Sequence, residues 1–232
     1  MLIAAALIGA VLLVAGGAVL AVRLTGKPSG APGASAGPPS GVVPVSAVDR
    51  LLLGTDQVHG IVGQQLQQAS SSNQTIDSSG GFNLPECSGA IYPMESPVYA
   101  PTQYTAVRGR LLQPSPTGNP YYPLVDQSVA LLPSADRAAQ LRADSQQQWQ
   151  NCAGKPLTVS SGNSTMKATL ANVVSQGDMI SQNRTVADGA SCQHTMAVWS
   201  NVVAEAVVCA KTGVDDQSQQ VAEAILANAR HR

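Results

Sequence analysis

The spacing of hydrophobic positions changes along this chain, and each change marks a different kind of segment. Residues 1–22 form an uninterrupted uncharged run, MLIAAALIGAVLLVAGGAVLAV, long enough to cross a bilayer core, which needs about 20 residues at about 1.5 Å per residue. Residues 24–44 lose hydrophobic periodicity and are dominated by Gly, Pro, Ala and Ser, the composition of an extended, partly stiffened tether. Periodicity then returns. Val45, Val48, Leu51 and Leu52 share one helical face, and Val58, Ile61 and Val62 line a second short helix over 56–62. The stretch 66–83, rich in Gln, Ser, Asn and Gly, reads as a surface loop.

Pro85 and Pro93 leave room for only a short helix around Cys87, whereas residues 104–112 alternate as a strand does and 125–132 form a second strand. Pro133 and Ser134 signal the start of a helix in which Ala138, Leu141, Ser145, Trp149 and Cys152 recur at three- and four-residue spacing. Short β-prone runs follow at 157–160, 166–175, 179–186, 192–199 and 202–209, with the spacing of an antiparallel meander. Asp215 or Asp216 can N-cap a last helix with Val221, Ala224, Ile225 and Asn228 on one face and Arg230 near its C-terminus. The pattern predicts a single α+β domain over 45–232, with an antiparallel sheet packed by helices. A transmembrane helix or signal anchor over 1–23 and a linker over 24–44 precede it.

Composition adds limits. Charged residues make up 12% of the chain; all the acidic ones lie beyond residue 48, where fourteen face eleven Lys and Arg. So mild and mixed a charge argues against a nucleic-acid partner. Phe82 is the only Phe, so the core must come mainly from Val, Leu, Ile and Ala, and covalent staples become useful. Val19-Leu20-Ala21 offers small residues near a cleavage point, but the run exceeds a usual signal h-region. Arg23 and Lys27 follow it; by the positive-inside tendency that flank would face the cytoplasm, a weak bias from two charges.

The cysteines weigh against that bias. There are four, Cys87, Cys152, Cys192 and Cys209; an even number behind a secretory-looking N-terminus favours disulfides over free thiols. Zinc is disfavoured because no C-x-x-C pair is present. Three pairings are open. If Cys192 begins one strand and Cys209 ends the next, with Ser200 and Asn201 at the turn, those two lie opposite each other at the open end of a hairpin. Cys87 and Cys152 then remain, tying the early helix to the end of the Trp149 helix.

Other chemistry is sparse. Tyr104, Arg108 and Arg110 fall on one side of a strand by the two-residue period, a set suited to an anionic or glycan ligand. His194 and His59 lack the partners that a metal site or a catalytic base needs. Ser160, Ser161 and Ser164 lie in a turn-like stretch without a G-x-S-x-G elbow. Asp215 and Asp216 read as helix caps, and Trp149 and Trp199 as core. No cofactor is implied. There is no Gly-rich loop, H-R-D or D-F-G signature, so kinase chemistry is absent from this sequence.

Pro85-Glu86-Cys87, then Trp149-Gln150-Asn151-Cys152, then Cys192 and Cys209 followed by an amphipathic helix, resemble the extracellular sensor domain family of the mycobacterial Ser/Thr kinase PknH. The resemblance covers residues 45–230. It implies a curved antiparallel sheet with helices, Cys87 paired with Cys152 and Cys192 with Cys209, and a large cleft for an unidentified ligand. The expected role is a non-catalytic, membrane-anchored sensor or ligand-binding domain of the cell envelope, outside the cytoplasm. Expected partners are the membrane, a small-molecule or cell-wall ligand and a membrane protein that carries the signal. The competing reading is an envelope hydrolase or transferase with dispersed residues, or a module that modulates a receptor kinase.

Overall fold

Strands and helices follow one another as α1 (Thr55–Val62), β1 (Gln67–Ser72), α2 (Ser88–Ile91), α3 (Ser96–Tyr99), β2 (Ala106–Gln113), β3 (Leu124–Leu131), α4 (Ala135–Cys152), β4 (Pro156–Ser161), β5 (Ser164–Leu170), β6 (Val174–Gln176), β7 (Met179–Val186), β8 (Ser191–Trp199), β9 (Val202–Ala210) and α5 (Gln217–Arg230). The computed structural model describes residues 41–115 and 123–231. The uncharged run 1–22 and most of the tether therefore lie outside the described residues. No helix among the described residues is long and apolar enough to cross a membrane.

Among the described residues the sheet has nine strands in the order β1-β2-β3-β9-β8-β7-β5-β4, with β6 beside β7, and every neighbouring pair is antiparallel. Alternation along the central strands sends one set of side chains to each face. Val202, Ala204, Ala206 and Val208 of β9 join α5, α1 and the 3-10 turn Val45–Arg50 in one core. Val203 of β9, with Met196 and Val198 of β8, joins α4 and the segment 82–99 in another. The mixed α/β domain thus buries both faces of one sheet. Gly37–Arg232 forms one unit that holds both cores and both disulfides.

Helix α4 starts as its sequence requires: the Ser134 hydroxyl accepts from the Arg137 backbone N–H, and Ala138, Leu141, Ser145, Trp149 and Cys152 are its buried residues. Cys87 and Cys152 are bonded, with Cα atoms 5.8 Å apart. Cys192 and Cys209 face each other in the β8–β9 register and are bonded too. Closing loops of 65 and 17 residues constrains the unfolded chain by about 4 and about 3 kcal/mol in the chain-entropy account.

Several elements differ from the sequence expectation. The stretch 66–83 contains β1, whose side chains are nearly all exposed; a strand held by backbone pairing to β2 alone needs no hydrophobic alternation, and its register shift after Gln68 suits an edge. Val45 is 50% exposed, because it opens the 3-10 turn after Pro44 and points away from the core that Val48 enters. The run 166–175 divides into β5 and β6, which share the edge of β7. At the break, Gln150 of α4 accepts from Val173 N–H and Gln182 donates to Ala171 C=O, replacing ladder bonds. Asp216 is the N-cap residue of α5, but its carboxylate accepts from the Gln220 side chain rather than from the helix backbone.

Candidate functional site

A sheet whose main path has eight strands is about 34 Å wide, whereas one helix with its side chains is about 10 Å across. On one face α5, α1 and the segment 43–53 cover the central strands. On the other face α4 and residues 82–99 cover only part, and a cleft of about 760 Å³ remains. Its walls carry Leu111 of β2, Leu124 and Asp126 of β3, Val207 and Cys209 of β9, Cys192 of β8, Arg184 of β7, Met166 of β5 and Val159 of β4. Most of these are apolar side chains that alternation directs to the same side. The volume lies within the range of small-molecule sites, about 300–1,000 Å³.

The polar groups of the cleft are few and converge. Asp126 is partly buried between Leu111 and Val207 in the strand register. Burial first, and then the charge of Glu205, push its carboxyl up to about 7, against the opposing pull of Arg184. Arg184 is 5% exposed; its Nη1 donates to Ile91 C=O at 2.8 Å, and Nη2 lies 3.7 Å from Cys209 Sγ. At the rim Lys211 pairs with Asp188 at 2.9 Å. Tyr92 lines the cleft, and burial raises its phenol above the usual value.

Behind this wall lies a buried polar network. Glu205 Oε1 accepts from the Tyr99 hydroxyl at 2.6 Å and from Met94 N–H at 3.0 Å, and Oε2 lies 3.1 Å from His194 Nε2. His194 Nδ1 faces Ala90 C=O at 3.3 Å. The imidazole thus bridges the Glu205 carboxyl and a backbone carbonyl. Trp149 stacks on the imidazole with ring centroids 4.3 Å apart. Met94 holds its N–H toward Glu205 from a left-handed conformation, φ 57°, and it lies over Gly109 of β2, where a Cβ would collide with the Met94 side chain.

The residues singled out from the sequence are dispersed. Arg108 and Arg110 line a separate polar groove on the α5 side of the sheet. Arg108 is bonded to Asp49, and Arg110 donates to Leu53 C=O at 2.7 Å. Tyr104 does not continue their row: β2 begins at Ala106, Gln103 before Tyr104 turns with φ 56°, and the Tyr104 ring packs edge-on against Tyr99 in the α4-side core. Ser161 and Ser164 pair across the β4–β5 turn and line the cleft, while His59 sits at the end of α1. Trp149 is fully buried and Trp199 packs against the α5-side core. Among the described residues, no group of three His, Cys, Asp or Glu is placed to hold a metal ion.

Sequence reasoning missed Asp126, Arg184 and Glu205. A signal was present for Glu205, which interrupts the apolar row of Val203 and Val207 within Val202-Val203-Ala204-Glu205-Ala206-Val207-Val208, whereas Asp126 and Arg184 share their faces with Ser128 and Gln182 and stand out less. Charged side chains enter cores only when paired.

Comparison with known proteins places the chain in a family. Serine/threonine-protein kinase PknH of Mycobacterium tuberculosis is 35% identical over 179 residues, which are 76% of this chain and 28% of that protein. PknH of Mycobacterium bovis is likewise 35% identical over 179 residues, 30% of its length. The chain thus spans less than a third of the curated relatives it matches. The crystal structure of the extracellular domain of PknH from Mycobacterium tuberculosis superimposes with a TM-score of 0.76 at 31% identity, covering 82% of this chain and 98% of that one. The description "PknH-like extracellular domain" matches residues 43–228, and this chain belongs to that family.

Proposed function

We propose that this protein is a non-catalytic ligand-binding sensor domain, held outside the cytoplasmic membrane by its N-terminal apolar run, and that the cleft on the α4 face receives the ligand. The observation that carries the reading is the unequal lining of the two faces' openings. The groove on the α5 side is polar and edged by Arg108 and Arg110, whereas the α4 face holds a largely apolar cleft with a buried arginine and a carboxyl of raised pKa converging on it. Supporting the extracytoplasmic placement are the two disulfides, which suit an oxidising compartment, and the family membership. We assign the relay of the signal across the membrane to a partner membrane protein.

The ligand test uses the unit 37–232, which contains both cores and both disulfides. It is incubated with a solvent extract of cell envelope, repurified and weighed by native mass spectrometry. A discrete added mass that is lost in Leu124→Glu supports the reading; an unchanged mass with wild-type protein refutes it. Placement is tested on the full chain in intact cells. Protease digestion of the domain from outside is expected, and protection from it would refute the topology.

A further inference from the structure

The groove on the α5 side holds about 800 Å³ and shares no lining residue with the cleft. Its character is the reverse of the cleft's. The β1–β2 register sets Ser71 directly across from Arg110, so both side chains leave the same face of the sheet, and the two-residue period adds Arg108 to that face. Opposite the arginines, β1 contributes Gln68 and Ser71, and the turn after it contributes Asn73, Gln74 and Thr75, a wall of carboxamides and hydroxyls. That turn is held in shape. Ser72 Oγ donates to Gln74 C=O at 2.8 Å and accepts from Gln74 N–H at 3.1 Å, and Thr75 Oγ1 lies 3.5 Å from the Tyr104 hydroxyl. Ile76, 50% exposed, and Leu52 add two small apolar patches to the lining.

Among the described residues that line this groove, three are charged: Asp49, Arg108 and Arg110. Asp49 is bonded to Arg108, which balances that pair. The Arg110 side chain donates to the Leu53 carbonyl, a neutral group, and its buried Nε–H has no acceptor among the described residues. One positive charge is thus left over in a groove otherwise lined by groups that exchange hydrogen bonds with hydroxyls.

We propose that this groove binds an acidic oligosaccharide, whose carboxylate or phosphate meets Arg110 and whose hydroxyls meet the Ser, Gln, Asn and Thr side chains of β1 and the turn that follows it. The planar guanidinium matches such an acid with two parallel donors. Carboxamides and hydroxyls both donate and accept, as sugar hydroxyls do, and the Ile76 and Leu52 patches suit the C–H face of a sugar ring. An acidic peptide would leave the hydroxyl wall unused, and a neutral glycan would leave the arginine charge unmatched.

Four probes separate these classes when titrated into the isotope-labelled unit 37–232, which contains both cores and both disulfides. They are hexagalacturonate, maltohexaose bearing one phosphate, maltohexaose itself and hexaglutamate. At least one of the two acidic glycans is expected to shift the amides of residues 71–76 and 108–110, and to bind at least about tenfold tighter than the neutral glycan or the acidic peptide. Which of the two binds decides between carboxylate and phosphate. Arg110→Gln should weaken that binding on the order of tenfold. Because Arg110 also holds Leu53, the second variant is Asp49→Asn, on a side chain that is 68% exposed. By releasing the charge of Arg108 it should tighten binding about threefold, a gain that a purely structural role does not produce. Equal affinity for hexaglutamate would overturn the glycan class, and equal affinity for maltohexaose would overturn the role of the arginine. Failure of both acidic glycans to bind, or binding unmoved by both substitutions, would overturn the site. None of these outcomes bears on the cleft, which Leu124→Glu probes separately.

Discussion

The two faces of the sheet handle buried polarity in opposite ways. On the α5 face the buried polar side chains are uncharged and close their hydrogen bonds among themselves or on backbone. Gln127 accepts from Leu53 N–H and donates to Leu53 C=O, and Asn201 does the same for Val43. Thr195, Ser218 and Gln193 form a chain that ends on Asp215 C=O. On the α4 face the buried polar residues include Glu95, Glu205, His194 and Arg184, and Ser145 Oγ, Trp149 Nε1, Gln182 Oε1 and Glu95 Oε1 lack a hydrogen-bond partner, as His59 Nδ1 and Arg110 Nε of half-buried residues do on the α5 side. Satisfied neutral amides fix a segment at low cost, whereas buried charge is expensive and is usually kept where it has work to do. The first face holds the N-terminal segment on the sheet. The second stores charge beside a cleft.

The largest test of this contrast is Glu205→Ala. It strands the Tyr99 hydroxyl, Met94 N–H and the His194 ring in a dry core, so a loss of about 3–5 kcal/mol in urea unfolding is expected. A loss below about 1 kcal/mol would mean that the network is expendable and that the two faces do not differ.

Next comes the neutral face. Gln127→Ala leaves Leu53 N–H without its acceptor, while Leu53 C=O keeps the bond from Arg110. A loss of about 2–3 kcal/mol is expected, with faster hydrogen exchange at Leu53 as the local signature. Unchanged exchange there would show that the amide clamp does not hold the segment.

The two faces were also unequally legible. The α5 side follows from rules that act locally: hydrophobic spacing locates α5 and the β8–β9 hairpin, and the hairpin register sets Cys192 across from Cys209. The buried stripe of α4, from Ala138 to Cys152, is equally readable. What the pattern does not carry is the pairing of distant strands. β3 lies beside β9, more than seventy residues on, and that neighbourhood creates both the floor of the cleft and the approach of Asp126 to Glu205. β1 was invisible for the opposite reason, since an edge strand held by its backbone needs no sequence pattern. Tyr104 misled because alternation was extended across a left-handed turn at Gln103.

Asp126 sharpens the comparison through pH. An unfolded aspartate ionises near 3.8, whereas in the fold the carboxyl is pushed up to about 7. Between these values the folded state holds a proton that the unfolded state has lost, so stability falls as pH rises through that window, and above about 7 the full cost of the charge is present. Asp126→Asn should therefore stabilise the protein by about 1–2 kcal/mol at pH 8 and by nothing measurable near pH 4. Equal stabilisation at both values would trace the gain to packing rather than to charge.

The smallest expected effect lies on the rim of the α5 face, where Arg108 and Asp49 form a pair with side chains 30% and 68% exposed. Water screens such a pair, and holding two flexible side chains together consumes much of what their attraction supplies. Arg108→Ala should cost no more than about 0.5 kcal/mol, and raising the salt should make the difference vanish. Arg110→Ala, which removes a bond to the Leu53 carbonyl, should cost about 1 kcal/mol and keep that cost in salt. If Arg108→Ala instead cost more than about 2 kcal/mol, the α5 face would depend on charge as the α4 face does, and the division between a neutral scaffold and a charged cleft would have to be redrawn.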